Sequence, residues 1–109
     1  MGSQVIHAND VEAHNGIFKP LTGQLGVAGF KLNQLELPAG QEGPEHDHAA
    51  NGEEEVYAVV AGSGVLRIDG EEVPLQTGHF VYCPPAARRQ MVAGSDGLTW
   101  IGIGSVDAG

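Results

Sequence analysis

Positive charge is scarce in this chain. Five Lys+Arg stand against fourteen Asp+Glu in 109 residues, for a formal net charge of -9. A surface that meets phosphates needs the opposite balance, so nucleic acid is excluded as a partner class. An anionic membrane surface is disfavoured on the same ground. Cysteine is almost absent, since Cys83 stands alone and cannot form an intrachain disulfide. A reducing, cytoplasmic setting is the expectation. No apolar run approaches the length of a membrane span. The N-terminus carries neither the basic nor the apolar region of a secretion signal. Also missing is any sustained apolar spacing at i, i+3, i+4 and i+7, which argues against a helical bundle.

Glycine and proline are abundant instead, with seventeen and six residues. They punctuate short apolar runs, the pattern of an all-β sandwich or barrel. Strands are expected at Val5–Ile6, within Gly16–Pro20, and over Leu25–Leu37, the last with a bulge where its apolar parity changes after Leu32. Val56–Ala61 is apolar on both parities and so predicts a strand covered on both faces. A second subunit is one way to cover it, which makes a homodimer the expected assembly. Ala61-Gly-Ser-Gly64 reads as a turn. Asp69-Gly70 between alternating runs predicts a hairpin. His79–Cys83 is a strand stopped by Pro84-Pro85. Gln90–Ala93 and Leu98–Ile103 are two more, separated by a turn at Ser95-Asp-Gly97. Eight or more strands in residues 1–109, with no linker or repeat, predict a single jelly-roll domain. Phe30, Phe80 and Trp100 are core candidates, and Cys83 is expected as a small buried hydrophobe.

The chemistry-bearing stretch is Gly40-Gln-Glu-Gly-Pro-Glu-His46-Asp-His48, followed by Glu53-Glu-Glu55. Side chains two apart on an extended segment share a face. Two imidazoles aimed at one spot, with carboxylates downstream, are a candidate site for a first-row divalent metal. His7 and His14 have no patterned partner and read as loop histidines. No Ser-His-Asp or Cys-His-Asp set is visible, so nucleophilic hydrolysis lacks support.

These residues resemble the cupin superfamily. Its first motif, G-x5-H-x-H followed by E-x6-G, is met by Gly40, His46, His48, Glu55 and Gly62, with a spacer two or three residues longer than usual. Glu53 would suit the spacer better but breaks the interval to Gly62. The second motif, G-x5-P-x-G-x2-H-x3-N, is met at Gly78 and Pro84. Ala86, Arg89 and Ala93 then replace its glycine, histidine and asparagine. The resemblance spans about residues 26–104, leaving 1–15 as an N-terminal arm, and implies the cupin jelly-roll barrel. It implies metal ligands at His46, His48 and Glu55, with Fe, Mn, Ni, Co or Zn all compatible. It also puts an arginine, which has no lone pair to give, where the fourth ligand belongs. Arg89 either faces the pocket and takes an anionic group or turns to solvent, and neighbouring Arg88 is the alternative inward cation. Tyr57 shares the parity of Glu55 and either packs in the core or donates into the pocket, and Met91 is a candidate for the pocket wall. His79 is a turn residue or a substitute ligand. Two functions are implied. One is a metal-dependent enzyme, oxygenase-like or isomerase/lyase-like, acting on a small anionic organic molecule. The other is a non-catalytic small-molecule-binding or accessory protein that has lost the fourth metal ligand, its ion absent or structural.

Overall fold

The computed structural model describes residues 2–106. Six strands form one antiparallel sheet: β1 (Phe18–Pro20), β2 (Phe30–Leu37), β3 (Glu55–Ile68), β4 (Glu71–Gln76), β5 (Phe80–Cys83) and β6 (Arg89–Ser105). The order is β1-β2-β6-β3-β4, with β5 also on β3. Two of the strands are long enough to be shared between two layers. The first half of β3 pairs with β5 and with the end of β6. Its second half pairs with β4 and with the start of β6. Leu37, Tyr57, Val59, Leu66, Leu75, Met91, Leu98 and Trp100 come from both halves and pack into one core. This is the jelly roll expected from the punctuation.

Six strands are described rather than eight or more because two expected turns are bends and Val5–Ile6 is not a strand. Ala61–Gly64 and Ser95–Gly97 do not reverse the chain. The β3–β6 ladder continues past them with register shifts at Val59/Ala61 and Gly62/Gly64. Gly62 has φ +75°, and a Cβ there would collide with the Gly97 carbonyl; one on Gly64 would collide with the Val92 carbonyl. Close backbone approach lets both strands fold over without breaking. The shift also flips parity in β6, where Arg89, Met91 and Ala93 are buried before the bend and Leu98, Trp100 and Gly102 after it.

The Asp69-Gly70 hairpin is formed, with φ of +47° and +83°, both positive as the favoured two-residue turn requires. Other expectations are corrected. Val5–Ile6 is not a strand, and a 3-10 turn at Ala8–Asp10 follows, capped by His7. Only Phe30–Leu37 of the Leu25–Leu37 run is strand; α1 (Thr22–Leu25) precedes it and closes on Gly26 in the left-handed conformation. β2 has no bulge, since its register with β6 is unbroken from Phe30↔Ser105 to Leu37↔Leu98. Where β1 ends, Thr22 closes the edge of β2: its Oγ1 accepts from Leu32 N–H (2.8 Å) and donates to Leu32 C=O (3.1 Å). Trp100 and Cys83 are core residues, but Phe30 and Phe80 lie on the outer sheet face, Phe80 at 75% exposure.

Candidate functional site

Two stretches far apart in sequence deliver the site. Residues 40–48 run antiparallel to the first half of β6. Gly43 N–H donates to Met91 O (2.8 Å), His48 N–H to Pro85 O (2.8 Å), and His46 and Arg89 exchange backbone hydrogen bonds of 2.9 Å each. Residues paired in this way stand directly opposite each other, side chains on one face. His46 and Arg89 are therefore neighbours across the ladder, and His48, two residues on, shares their side. Glu55 opens β3 between Cys83 and Gly104, and Tyr57 follows at the same parity.

The four side chains converge on one carboxylate oxygen. His48 Nε2 lies 3.2 Å and His46 Nε2 3.4 Å from Glu55 Oε1. Tyr57 donates its hydroxyl hydrogen to the same atom at 3.0 Å, and an Arg89 Nη2–H bonds to it as well. The rest of the guanidinium is held by protein: Nε–H donates to the Tyr57 oxygen (3.3 Å), and Nη1 to the carbonyls of Pro84 (3.3 Å) and Ala87 (2.8 Å). Arg89 is only 1% exposed. Burial by itself raises the Glu55 pKa, but hydrogen bonds from His46, Arg89 and Tyr57 outweigh it and bring the carboxyl down to about 2. The Tyr57 hydroxyl is pushed well above the usual phenol range, first by burial and then by the Glu55 charge. Burial likewise raises the Cys83 thiol to about 11, so it packs as a neutral small group.

A cavity of about 380 Å³ opens in front of these groups. Its lining includes Met91, Trp100 and Gly102, and from β2 it takes Lys31, Asn33 and Leu35. Glu53 also faces it, 5% exposed, with Lys31 Nζ 2.6 Å from Oε1 and His48 Nε2 3.7 Å from Oε2.

The donor set fits a divalent ion. His46, His48 and Glu55 each present one ligand atom, all within 4.8 Å of one another. Metal–ligand bonds of about 2.0–2.2 Å place neighbouring donors roughly 3–3.5 Å apart, which is the spacing found from Glu55 to each imidazole. The arginine stands where a fourth donor would come.

Of the residues expected at the site, the structure brings together His46, His48, Glu55, Tyr57 and Arg89. It does not bring Arg88. That side chain is 54% exposed and pairs outside with Glu45 and Asp47, both at 3.3 Å; neighbours on a strand point to opposite faces, and Arg89 takes the inner one. His79 is also outside, its Nδ1 accepting from Gln76 N–H (2.9 Å) in an exposed turn. Lys31, Asn33 and Glu53 were missed as site residues. The available signal was the Lys31-x-Asn33 alternation, and it gains meaning only once Leu32 is known to face outward.

The cupin domain family matches residues 33–102. No curated protein matches the chain. Among solved structures, a cupin protein from Bacteroides fragilis is 29% identical, covering 100% of this chain and 87% of its own, with a TM-score of 0.77. A predicted oxalate decarboxylase from Thermotoga maritima is 18% identical over 94% of this chain and 99% of its own, with a TM-score of 0.78. A sugar phosphate isomerase from Silicibacter pomeroyi is 19% identical over 94% of this chain and 76% of its own, with a TM-score of 0.79.

Proposed function

The chain belongs to the cupin family, and from that premise we propose that its cavity is a divalent-metal centre acting on a small anionic organic molecule. The observation that carries this is the convergence of His46, His48 and Glu55 on the lining of the cavity. Two imidazoles and one carboxylate with open positions suit Fe(II), Mn, Ni, Co or Zn. When bound, the ion would supply a Lewis acid or a site for O2.

The chain's own residues do the rest. Arg89 pins the Glu55 carboxylate and the Tyr57 hydroxyl in place. Tyr57 keeps its proton, so it serves as a fixed donor. Trp100, Met91 and Leu35 keep part of the wall dry. The charges of the lining support an anionic ligand. Lys31 and Arg89 offset Glu53 and Glu55, so these four charges cancel and a bound ion would add its own positive charge. The surrounding surface is strongly negative, so a free anion would be held in the cavity and little elsewhere. The fold does not choose the reaction, since two of its relatives are named for unrelated ones.

A second reading, a metal-free binding protein, is favoured by one observation: Arg89 already bonds to Glu55, and a guanidinium beside a metal ion repels it. Elemental analysis and calorimetric titration with each of the five metals separate the two. The enzyme reading expects about one ion per chain, lost in the His46→Ala/His48→Ala variant. An unaltered protein that takes up no metal at any concentration tested would overturn it.

The outer sheet face supports the expected homodimer. One row across four strands reads Tyr82, Val56, Ile103, Leu32, and the next begins Phe80, Ala58, Ile101. Neither row carries an acidic residue, and the carboxylates at their margins are taken up by row residues, Glu54 by the Tyr82 hydroxyl and Glu36 by the Gln34 amide. We place the second copy there.

A further inference from the structure

We propose that Lys31 and Asn33, two apart on the cavity face of β2, form a subsite that recognises a carboxylate of the ligand. This deepens the reading of an anionic ligand given above and rests on it. The argument starts from the cations. Arg88 is outside the cavity, and Arg89 is 1% exposed with its guanidinium bonded to Glu55, Tyr57 and two carbonyls. Arg89 is a brace. Lys31 is the cavity cation that meets solvent, with its side chain 43% exposed.

Lys31 is also held in place. Glu53 is a buried carboxylate spanning the floor between Lys31 Nζ (2.6 Å) and His48 Nε2 (3.7 Å). A charge so buried needs a partner, and the partner it fixes is the ammonium. Opposite Lys31 and Asn33 on β6 stand Gly104 and Gly102. A Cβ on Gly104 would collide with the Glu53 carboxylate, and one on Gly102 would come within 3.8 Å of the Tyr57 ring. Gly104 thus makes room for the Glu53 carboxylate that holds Lys31, and Gly102 lines the cavity beside Asn33. At the next position the space is closed by Leu35 against Trp100. The Asn33 amide makes no hydrogen bond to another described residue, and it faces the same space.

An ammonium and an amide N–H on one strand face can both donate to a carboxylate, and the ammonium bond is charge-assisted. A ligand seated there has His46, His48 and Glu55 along the same cavity. The geometry suits a small molecule with a carboxylate at one end and the reacting group at the other.

Malonate is a suitable probe, and malonamide its neutral counterpart. Both are titrated calorimetrically into the zinc-loaded and the chelator-treated protein. Malonate is expected to bind in both states, and malonamide at least ~10-fold more weakly, as loss of a charge-assisted bond implies. Lys31→Met should weaken malonate by about 10-fold or more with metal uptake unchanged, and Asn33→Ala by a smaller factor. Lys31→Arg should stay within about 3-fold of the parent, because it keeps the charge. If Lys31→Met misfolds by stranding Glu53, the Lys31→Met/Glu53→Gln double variant removes both charges and is titrated instead. Unchanged malonate affinity in the lysine-deleted protein, or malonate binding no better than malonamide, overturns the subsite. Failure to take up any of the five metals overturns the metal centre alone, because the chelator-treated titrations still read Lys31.

Discussion

The Glu55 carboxylate receives more of the site's hydrogen bonds than any other group described in it. Its partner Arg89 is a buried cation, and a buried pair is costly to break from either side, about 3–5 kcal/mol when one partner goes. With its pKa brought from 4.5 to about 2, Glu55 carries roughly 3 kcal/mol of pH-dependent stability. A lowered pKa means that this contribution is complete above the unfolded value and is lost as pH falls through 4.5 toward 2. Urea denaturation of metal-free protein is expected to show Glu55→Gln well below the parent at pH 7, the two converging near pH 2. A gap that stays constant with pH would show that Glu55 is not held down. His46 and His48 were legible from their two-residue period, and Glu55 from the resemblance to the cupin motif, whose interval to Gly62 it keeps; both are local properties. Glu53 was not, since nothing local marks a carboxylate for burial.

At the scale of elements, the bends of β3 and β6 decide where everything in the cavity lies. They put Glu55 and Tyr57 in one layer and bring Arg89 from the other half of β6 opposite His46. Gly62 and Gly64 are the residues that permit this, through the missing Cβ at both and the positive φ at Gly62. Gly62→Ala and Gly64→Ala should each lose at least ~2 kcal/mol by the overpacking they force. Gly29→Ala, with open space around it, should stay within about 0.5 kcal/mol. Equal midpoints for all three in chemical denaturation would refute the bend's dependence on glycine. Both bends had been expected as turns, for a physical reason: Gly-Ser-Gly and Ser-Asp-Gly permit a reversal and a bend alike. Which of them forms depends on whether the partner strand continues past the spot.

For the whole molecule, the contrast between an acidic surface and an apolar sheet face carries the association argument. Phe80 at 75% exposure and Tyr82 at 54% would be buried by a second copy on this face. Sedimentation velocity is expected to give a dimer for the parent chain and a monomer for Phe80→Glu, which sets like charges in the contact. A parent chain that sediments as a monomer at micromolar concentration counts against the dimer, and a dimer that survives Phe80→Glu counts against this face.

Read alone, the sequence determined the strand class, the Asp69-Gly70 hairpin and the pairing of His46 with His48. Each depends on residues within a few positions of one another, or on composition. Tertiary structure alone decided that Arg89 turns inward while Arg88 turns out, that Phe80 faces outward, and that Lys31, Asn33 and Glu53 share a cavity with the histidines. Those outcomes depend on which strands pair and in which register. A shift of one residue in that register exchanges the inner and outer faces of a strand, and pairings as distant in sequence as Ile68 with Arg89 and Phe30 with Ser105 set it.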